Sequence, residues 1–84
     1  MKSLHIIRSA DDHLASRVIG RCTAGEDAVL LVQDGVYGAF PGGTIKLFAC
    51  REDLAAREIA KDCQVVSYDE IAKLVLEYDR TIVW

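Results

Sequence analysis

The stretch at residues 30–39 reads Leu-Leu-Val-Gln-Asp-Gly-Val-Tyr-Gly-Ala. Its apolar start has no polar alternation, as expected for a central strand of a parallel sheet that is covered on both faces. The strand runs into Asp34-Gly35, a sharp turn in which glycine tolerates backbone angles that other residues avoid. Open α/β sheets place ligands or partners at the carboxyl ends of their strands. This turn is therefore a candidate functional edge.

Short apolar runs alternate with helical patterns along the chain. This alternation predicts a single α/β domain over residues 1–84, with an open, mainly parallel sheet of four or five strands and helices on both faces. The predicted strands span about 3–7, 28–32, 44–49, 64–66 and 81–83. The predicted helices span about 12–23, about 51–62, and the segment that begins at Ser67-Tyr68-Asp69-Glu70, which reads as a capping box. Residues 33–43 leave room for one or two helical turns only.

The composition argues against several classes of function. The net charge is −3 and the ten Lys and Arg residues are scattered, so we expect no direct contact with nucleic acid or anionic membranes. No apolar stretch approaches the ~18–20 residues that cross a bilayer, and residues 1–8 are too short in their apolar part for a signal peptide. We therefore expect a cytoplasmic protein.

The cysteines and histidines do not form a recognisable ligand pattern. The three cysteines are Cys22, Cys50 and Cys63, an odd number without a Cys-x-x-Cys pair, which fits neither a disulfide framework nor a structural zinc site. Neither His5 nor His13 has a ligand partner four residues away. We expect a reduced protein with no metal and no cofactor.

Five blocks in the chain resemble the DsrH/TusB family, the small subunits of bacterial sulfur-relay complexes. Residues 4–9 resemble the family's LHT…S opening, and residues 30–39 resemble its LLLxxDGVYAA block. Residues 46–57 resemble KVYAL-xEDLxARG, and residues 65–71 resemble IxxVDYxxFV. Trp84 matches the family's terminal tryptophan. Together the blocks cover nearly the whole chain in the family's order.

The chain departs from the family pattern at three places. Glu58 replaces the glycine that follows the Ala-Arg pair, and Ser67 replaces the first Asp of the Asp-Tyr pair. Longer members carry a fuller helix where this chain has only Phe40-Pro41-Gly42-Gly43. This deletion removes part of a surface on which a partner could pack.

The resemblance implies a DsrE/F/H-type three-layer α/β/α fold and a structural rather than enzymatic role. In tRNA thiolation, TusB-like chains assemble with TusC-like and TusD-like partners, which correspond to DsrF-like and DsrE-like small α/β subunits. That complex passes persulfide sulfur toward 2-thiouridine at the wobble position, and the TusD-like subunit carries the sulfur-bearing cysteine. This chain would then support a partner's site through its motif and interface residues. These residues are Asp34, Gly35, Tyr37, Asp53, Arg57 and Trp84.

A second hypothesis makes this chain a sulfur carrier in sulfur oxidation, as DsrH chains often carry a cysteine in the first helix. Cys22 lies about three residues later than that cysteine, on an apolar helical stripe where a buried thiol acts as a small hydrophobe. Cys50 precedes a helix whose N-terminus would stabilise a thiolate, although Glu52 and Asp53 oppose that anion. The motifs alone do not separate tRNA thiolation from sulfur oxidation. A third hypothesis is a stand-alone regulator that forms a small homo-oligomer.

Two further expectations concern side-chain contacts. Asp53 and Arg57 lie one helical turn apart and are expected to form a surface ion pair or an interface. Three residues, Tyr37, Phe40 and Trp84, are large or amphipathic groups of the kind that anchor interfaces. We expect Trp84 to dock on its own domain or on a partner.

Overall fold

The computed structural model describes residues 2–11, 27–38 and 45–84. Five strands are present in this part of the chain: β1 (Ser3–Ile7), β2 (Ala28–Leu31), β3 (Lys46–Cys50), β4 (Gln64–Val66) and β5 (Arg80–Val83). A 3-10 helix spans Gln33–Tyr37, and two α-helices follow it, α1 (Arg51–Ala56) and α2 (Tyr68–Glu77). The predicted helix at 12–23, with His13 and Cys22, lies outside the described residues, as do Phe40-Pro41-Gly42-Gly43 and Thr44.

The five strands form one sheet in the order β4-β3-β2-β1-β5. All four neighbouring pairs are parallel; His5 of β1, for example, pairs with Val29 of β2 and Ile82 of β5. The sequence-based prediction of an open parallel sheet is therefore confirmed.

Two apolar clusters cover the two faces of the sheet, because successive side chains along a strand point to opposite faces. The first cluster packs under the 3-10 helix and α1 and contains Ile7, Val29, Leu31, Val36, Ala49 and Leu54. The second packs under α2 and contains Leu4, Ala28, Leu30, Phe48, Val66 and Leu74. The chain steps across the sheet from β1 to β4 and then returns to β5. Right-handed crossovers therefore place α2 on the face opposite α1, which gives the expected three layers.

The capping box predicted at the start of α2 is present. The Ser67 hydroxyl accepts a hydrogen bond from the Glu70 backbone N–H at 3.2 Å. The Glu70 carboxylate in turn accepts one from the Ser67 backbone N–H at 3.0 Å. This pair satisfies two backbone donors and fixes the first turn of α2.

The prediction of a helix over 51–62 is wrong at its C-terminal end, because α1 ends at Ala56. Glu58 adopts a φ of 54°, and its N–H donates to the Ala55 carbonyl while the Ile59 N–H donates to the Leu54 carbonyl. This pair of bonds is a Schellman motif, which terminates a helix at a left-handed residue. Cys63 consequently lies in the turn beyond α1, partly buried against the first apolar cluster.

The strand ends also differ slightly from the prediction. β2 ends at Leu31 rather than Val32, and β3 continues to Cys50. No helix in the described ranges is both long and apolar enough to cross a bilayer.

Candidate functional site

The candidate site lies at the carboxyl edge of the sheet, where β2 leads into the 3-10 helix. Gly35 packs directly on the end of β1: a Cβ at this position would overlap the carbonyl oxygen of Ile7. The Gly35 N–H donates to the Val32 carbonyl at 2.9 Å, which closes the turn. Gly35 is therefore required by a close backbone approach, and it fixes the position of its neighbour Asp34.

Asp53 of α1 holds the start of the same turn. Its side chain is buried and accepts a hydrogen bond from the Gln33 backbone N–H at 2.8 Å. Gln33 has a φ of 52°, a left-handed conformation that is costly for a residue with a side chain. Asp53 thus compensates a strained residue at the first position of the 3-10 helix.

Arg57 connects α1 to the turn through two carboxylates. Its Nε and Nη2 both lie 3.1 Å from Asp34 Oδ1, and its Nη1 lies 3.5 Å from Asp53 Oδ1. The ion pair predicted between Asp53 and Arg57 is confirmed, while the contact with Asp34 was not predicted. The Asp34 side chain is 69% exposed, so this pair contributes little to stability but orients both groups.

Tyr37 ends the 3-10 helix beside this ion-pair cluster. The Arg57 guanidinium carbon lies 6.0 Å from the centre of the Tyr37 ring, at the limit of a cation–π contact. The ring is 57% exposed. The exposed side chains of Asp34 and Tyr37 therefore form one surface, and Arg57 contacts both of them.

Lys61 also contacts this part of the structure, and the sequence analysis did not predict its contacts. Its Nζ donates to the carbonyls of Gly38 at 2.6 Å and Val36 at 3.1 Å, which ties the end of the 3-10 helix to the segment after α1. Nothing in the local sequence signals this contact, because the partners are 23 and 25 residues away.

Cys50 is the last residue of β3, immediately before α1, and is fully buried. Burial raises the pKa of its thiol, and the hydrogen bond from the Asp53 backbone offsets this only in part. The Cys50 Sγ donates weakly to Glu52 Oε1 at 3.8 Å. Burial also raises the pKa of the Cys63 thiol. Burial therefore disfavours the thiolate at both cysteines, and Cys22 lies outside the described residues.

Trp84 docks on its own domain, the first of the two predicted arrangements. Its backbone N–H donates to the Ile6 carbonyl at 2.9 Å, and its main-chain oxygen accepts from Arg8 Nε at 3.0 Å. Its indole N–H donates to His5 Nδ1 at 3.3 Å, with the two rings stacked at 6.3 Å. On its other side, the buried His5 places Nε2 3.6 Å from an Asp27 carboxylate oxygen. Trp84 also packs against the first apolar cluster, which includes Ile7 and Val36.

The described ranges contain no group of three or more His, Cys, Asp or Glu side chains that could hold a metal ion. At the carboxyl edge, the Asp34 carboxylate, the Arg57 guanidinium and the Tyr37 phenol form one surface, and the buried Cys50 thiol lies at the end of β3.

Comparisons with known proteins agree on one family. A family model described as "DsrH like protein" matches residues 8–81. Protein TusB of Pectobacterium carotovorum subsp. carotovorum (strain PC1) is 29% identical over 94 residues, which cover 96% of this chain and 99% of that protein. Protein TusB of Erwinia tasmaniensis is 30% identical over the same length, with the same coverage.

The fold also has a solved counterpart. The solution NMR structure of protein Tm0979 from Thermotoga maritima superposes with a TM-score of 0.69, covering 89% of this chain and 92% of that one. The two sequences are 24% identical, so this likeness concerns the fold alone. The family model and the TusB relatives agree with the family resemblance of the sequence blocks. This chain therefore belongs to the DsrH family, and that membership supports its assignment as a subunit of a sulfur relay.

Proposed function

We propose that this chain is a non-catalytic subunit of a sulfur-relay complex that supports persulfide transfer for 2-thiolation of the tRNA wobble uridine. The TusB relatives, which match nearly the whole chain, support the tRNA branch. The observation that carries the non-catalytic role is the state of Cys50, the one cysteine at the carboxyl edge among the described residues. It is buried, and its pKa is raised.

The chemistry of sulfur relay explains why this state matters. In each step a thiolate attacks the outer sulfur of a persulfide, forms a new S–S bond and releases the donor cysteine as a thiolate. The attacking group must therefore be ionised and accessible. Cys50 is poorly suited to this attack, because its thiol is buried and because burial, with a smaller contribution from the Asp53 carboxylate, raises its pKa.

The proposed role is to present an ordered surface to a partner. Asp34 and Tyr37 are exposed, and both are supported laterally by Arg57. Gly35 packs closely on the end of β1, and Asp53 binds the Gln33 backbone N–H, so both position the backbone of this turn. A preorganised surface binds with less loss of conformational entropy, which favours a stable complex with TusC-like and TusD-like subunits. In this proposal the chain is a single domain that works in the cytoplasm.

Native mass spectrometry of the tagged protein, purified from its own host, tests this proposal. We expect a complex that contains two other kinds of small α/β chain, whose identity assigns the pathway. A lone chain or a homo-oligomer that is stable to dilution and salt would contradict the proposal and favour the stand-alone regulator.

A second candidate is a DsrH-like sulfur carrier that uses Cys22 or Cys50. It is supported by the match to the family model described as "DsrH like protein". Alkylation by iodoacetamide, followed residue by residue with peptide mass spectrometry, separates the two candidates. We expect Cys50 and Cys63 to react more slowly than free cysteine until the chain is unfolded in urea. A cysteine that reacts faster than free cysteine at neutral pH would support the carrier.

A further inference from the structure

A cleft of about 390 Å³ opens on the face of the sheet that α2 covers. It lies between α2 and strands β3 and β4, near the amino end of β3. Its floor is apolar and is formed by Phe48, Val66 and Leu74. The cluster around Asp34 and Arg57 lies at the carboxyl edge, so the cleft is a separate surface.

The rim of the cleft gathers most of the lysines of an acidic chain. Lys2, Lys46 and Lys73 line it, and they are three of the four lysines in a sequence of net charge −3. The fourth, Lys61, is occupied by its two backbone carbonyls. Within residues 2–11, 27–38 and 45–84, neither Lys46 nor Lys73 has a salt bridge to a carboxylate. Two ammonium groups on different elements therefore face solvent across one groove.

Two glutamates also lie on the rim, and they limit what the cleft can bind. Glu70 directs a carboxylate oxygen to the Ser67 backbone N–H, so part of its charge is already compensated within the helix cap. Glu77 has no such role. A long run of phosphates would meet these two carboxylates, whereas separated acidic side chains can pair with the lysines and avoid them.

Cationic and apolar groups also meet inside the cleft. Lys2 Nζ lies 4.9 Å above the centre of the Tyr78 ring, and both residues line the cleft. The cleft therefore offers ammonium groups beside an apolar floor, a combination that suits a ligand carrying both carboxylates and an apolar group.

We propose that this cleft is the docking surface for an acidic segment of a partner subunit. The segment seats an apolar side chain on Phe48 and places its carboxylates against Lys46 and Lys73. Charge complementarity identifies the occupant as acidic, and the apolar floor beside the lysines favours a polypeptide, which carries carboxylates and apolar side chains on one segment. The inference rests on the proposed function, because it names the chemistry by which the complex holds this chain.

Carbodiimide coupling of the intact complex tests the proposal, since this reagent joins a lysine directly to a carboxylate only where the two groups touch. We expect isopeptide links, located by mass spectrometry, from Lys46 or Lys73 to aspartates or glutamates of one partner chain. The inference is overturned if the complex is intact but neither lysine links to another chain and both are acetylated as fast as in the free subunit. That result would leave the proposed function standing. Recovery of links to RNA phosphates, or of the chain without partners, also overturns the inference; only the latter overturns the proposed function as well.

Charge variants give an independent measurement with a matched control. Lys46→Glu combined with Lys73→Glu is expected to weaken binding to the partner by about tenfold or more, with a smaller dependence on salt. Glu77→Lys, on the rim, should strengthen binding. Asp69→Lys makes the same charge change on an exposed part of α2 outside the cleft and should leave the dissociation constant nearly unchanged. Equal effects of Glu77→Lys and Asp69→Lys would overturn the proposal, and thermal unfolding of each variant checks that it is folded.

Discussion

Asp53 and Gln33, 20 residues apart in sequence, are joined by a hydrogen bond of 2.8 Å from the Gln33 backbone N–H to the Asp53 carboxylate. The bond links α1 to the first residue of the 3-10 helix, and that residue has a φ of 52°. A left-handed conformation costs roughly 1–2 kcal/mol for a residue with a Cβ. The exposed surface of Asp34 and Tyr37 therefore depends on a buried carboxylate that holds the backbone at the start of the same turn.

Replacing Asp53 with alanine should destabilise the fold measurably. The Gln33 N–H would lose its partner in a partly buried position, at a cost of about 1–3 kcal/mol. Urea unfolding followed by circular dichroism measures the loss. Asp62→Ala, an exposed aspartate beyond α1, is the control and should change the free energy of unfolding by less than about 0.5 kcal/mol. Equal losses for the two variants would show that the bond has no energetic role.

Gly35→Ala should be among the most damaging single changes at the carboxyl edge. The new Cβ would overlap the Ile7 carbonyl, so either the 3-10 helix or the end of β1 must move. We expect a loss of about 2–3 kcal/mol, as for other overpacked sites, together with weaker binding to partners. Gly38→Ala is the matched control, because its Cβ would lie 3.2 Å from the Gly35 oxygen, a contact that a small shift relieves. A Gly35→Ala variant as stable as Gly38→Ala would contradict this account of the turn.

The features predicted correctly from sequence are those with local causes. Ser67 and Glu70 form a capping box three residues apart, and the apolar runs at residues 28–32 and 64–66 identify strands without reference to distant residues. The end of α1 was missed because the family's glycine is Glu58 here, so the residue that reverses the chain carries no recognisable signal. The contacts of Lys61, and the convergence of Lys2, Lys46 and Lys73 on one cleft, were missed because each depends on how distant elements pack.

Glu58→Gly is expected to stabilise the protein. Glu58 occupies the left-handed position of the Schellman motif after α1, where glycine avoids the steric cost of a Cβ. The expected gain is about 1 kcal/mol in the free energy of unfolding. Asp62→Gly is the control. Among the described non-glycine residues, a positive φ is found at Gln33 and Glu58 and not at Asp62. Glycine at position 62 therefore relieves no strain and only adds freedom to the unfolded chain. If both variants lose stability, the strain assigned to Glu58 is absent.

The capping box predicts a pH dependence at the start of α2. Hydrogen bonds from the Ser67 backbone and then its side chain hold the pKa of Glu70 below its ordinary value of 4.5, with help from the positive charges of Arg51 and Lys73. Because the folded-state pKa is depressed, the stabilisation is complete above the ordinary pKa and is lost as the pH falls through the lower folded value.

Carboxyl-detected NMR titration measures this pKa directly, and we expect the Glu70 midpoint to lie below 4.5. In Ser67→Ala the midpoint should rise toward that value without reaching it, because the backbone N–H of residue 67 still donates to the carboxylate. Below the folded pKa of Glu70, the natural chain should lose stability relative to the Glu70→Gln variant. Glutamine keeps an acceptor oxygen and does not titrate, so the variant's cap does not change with pH. A midpoint at or above the ordinary value would mean that the Ser67 donors do not bind the ionised carboxylate.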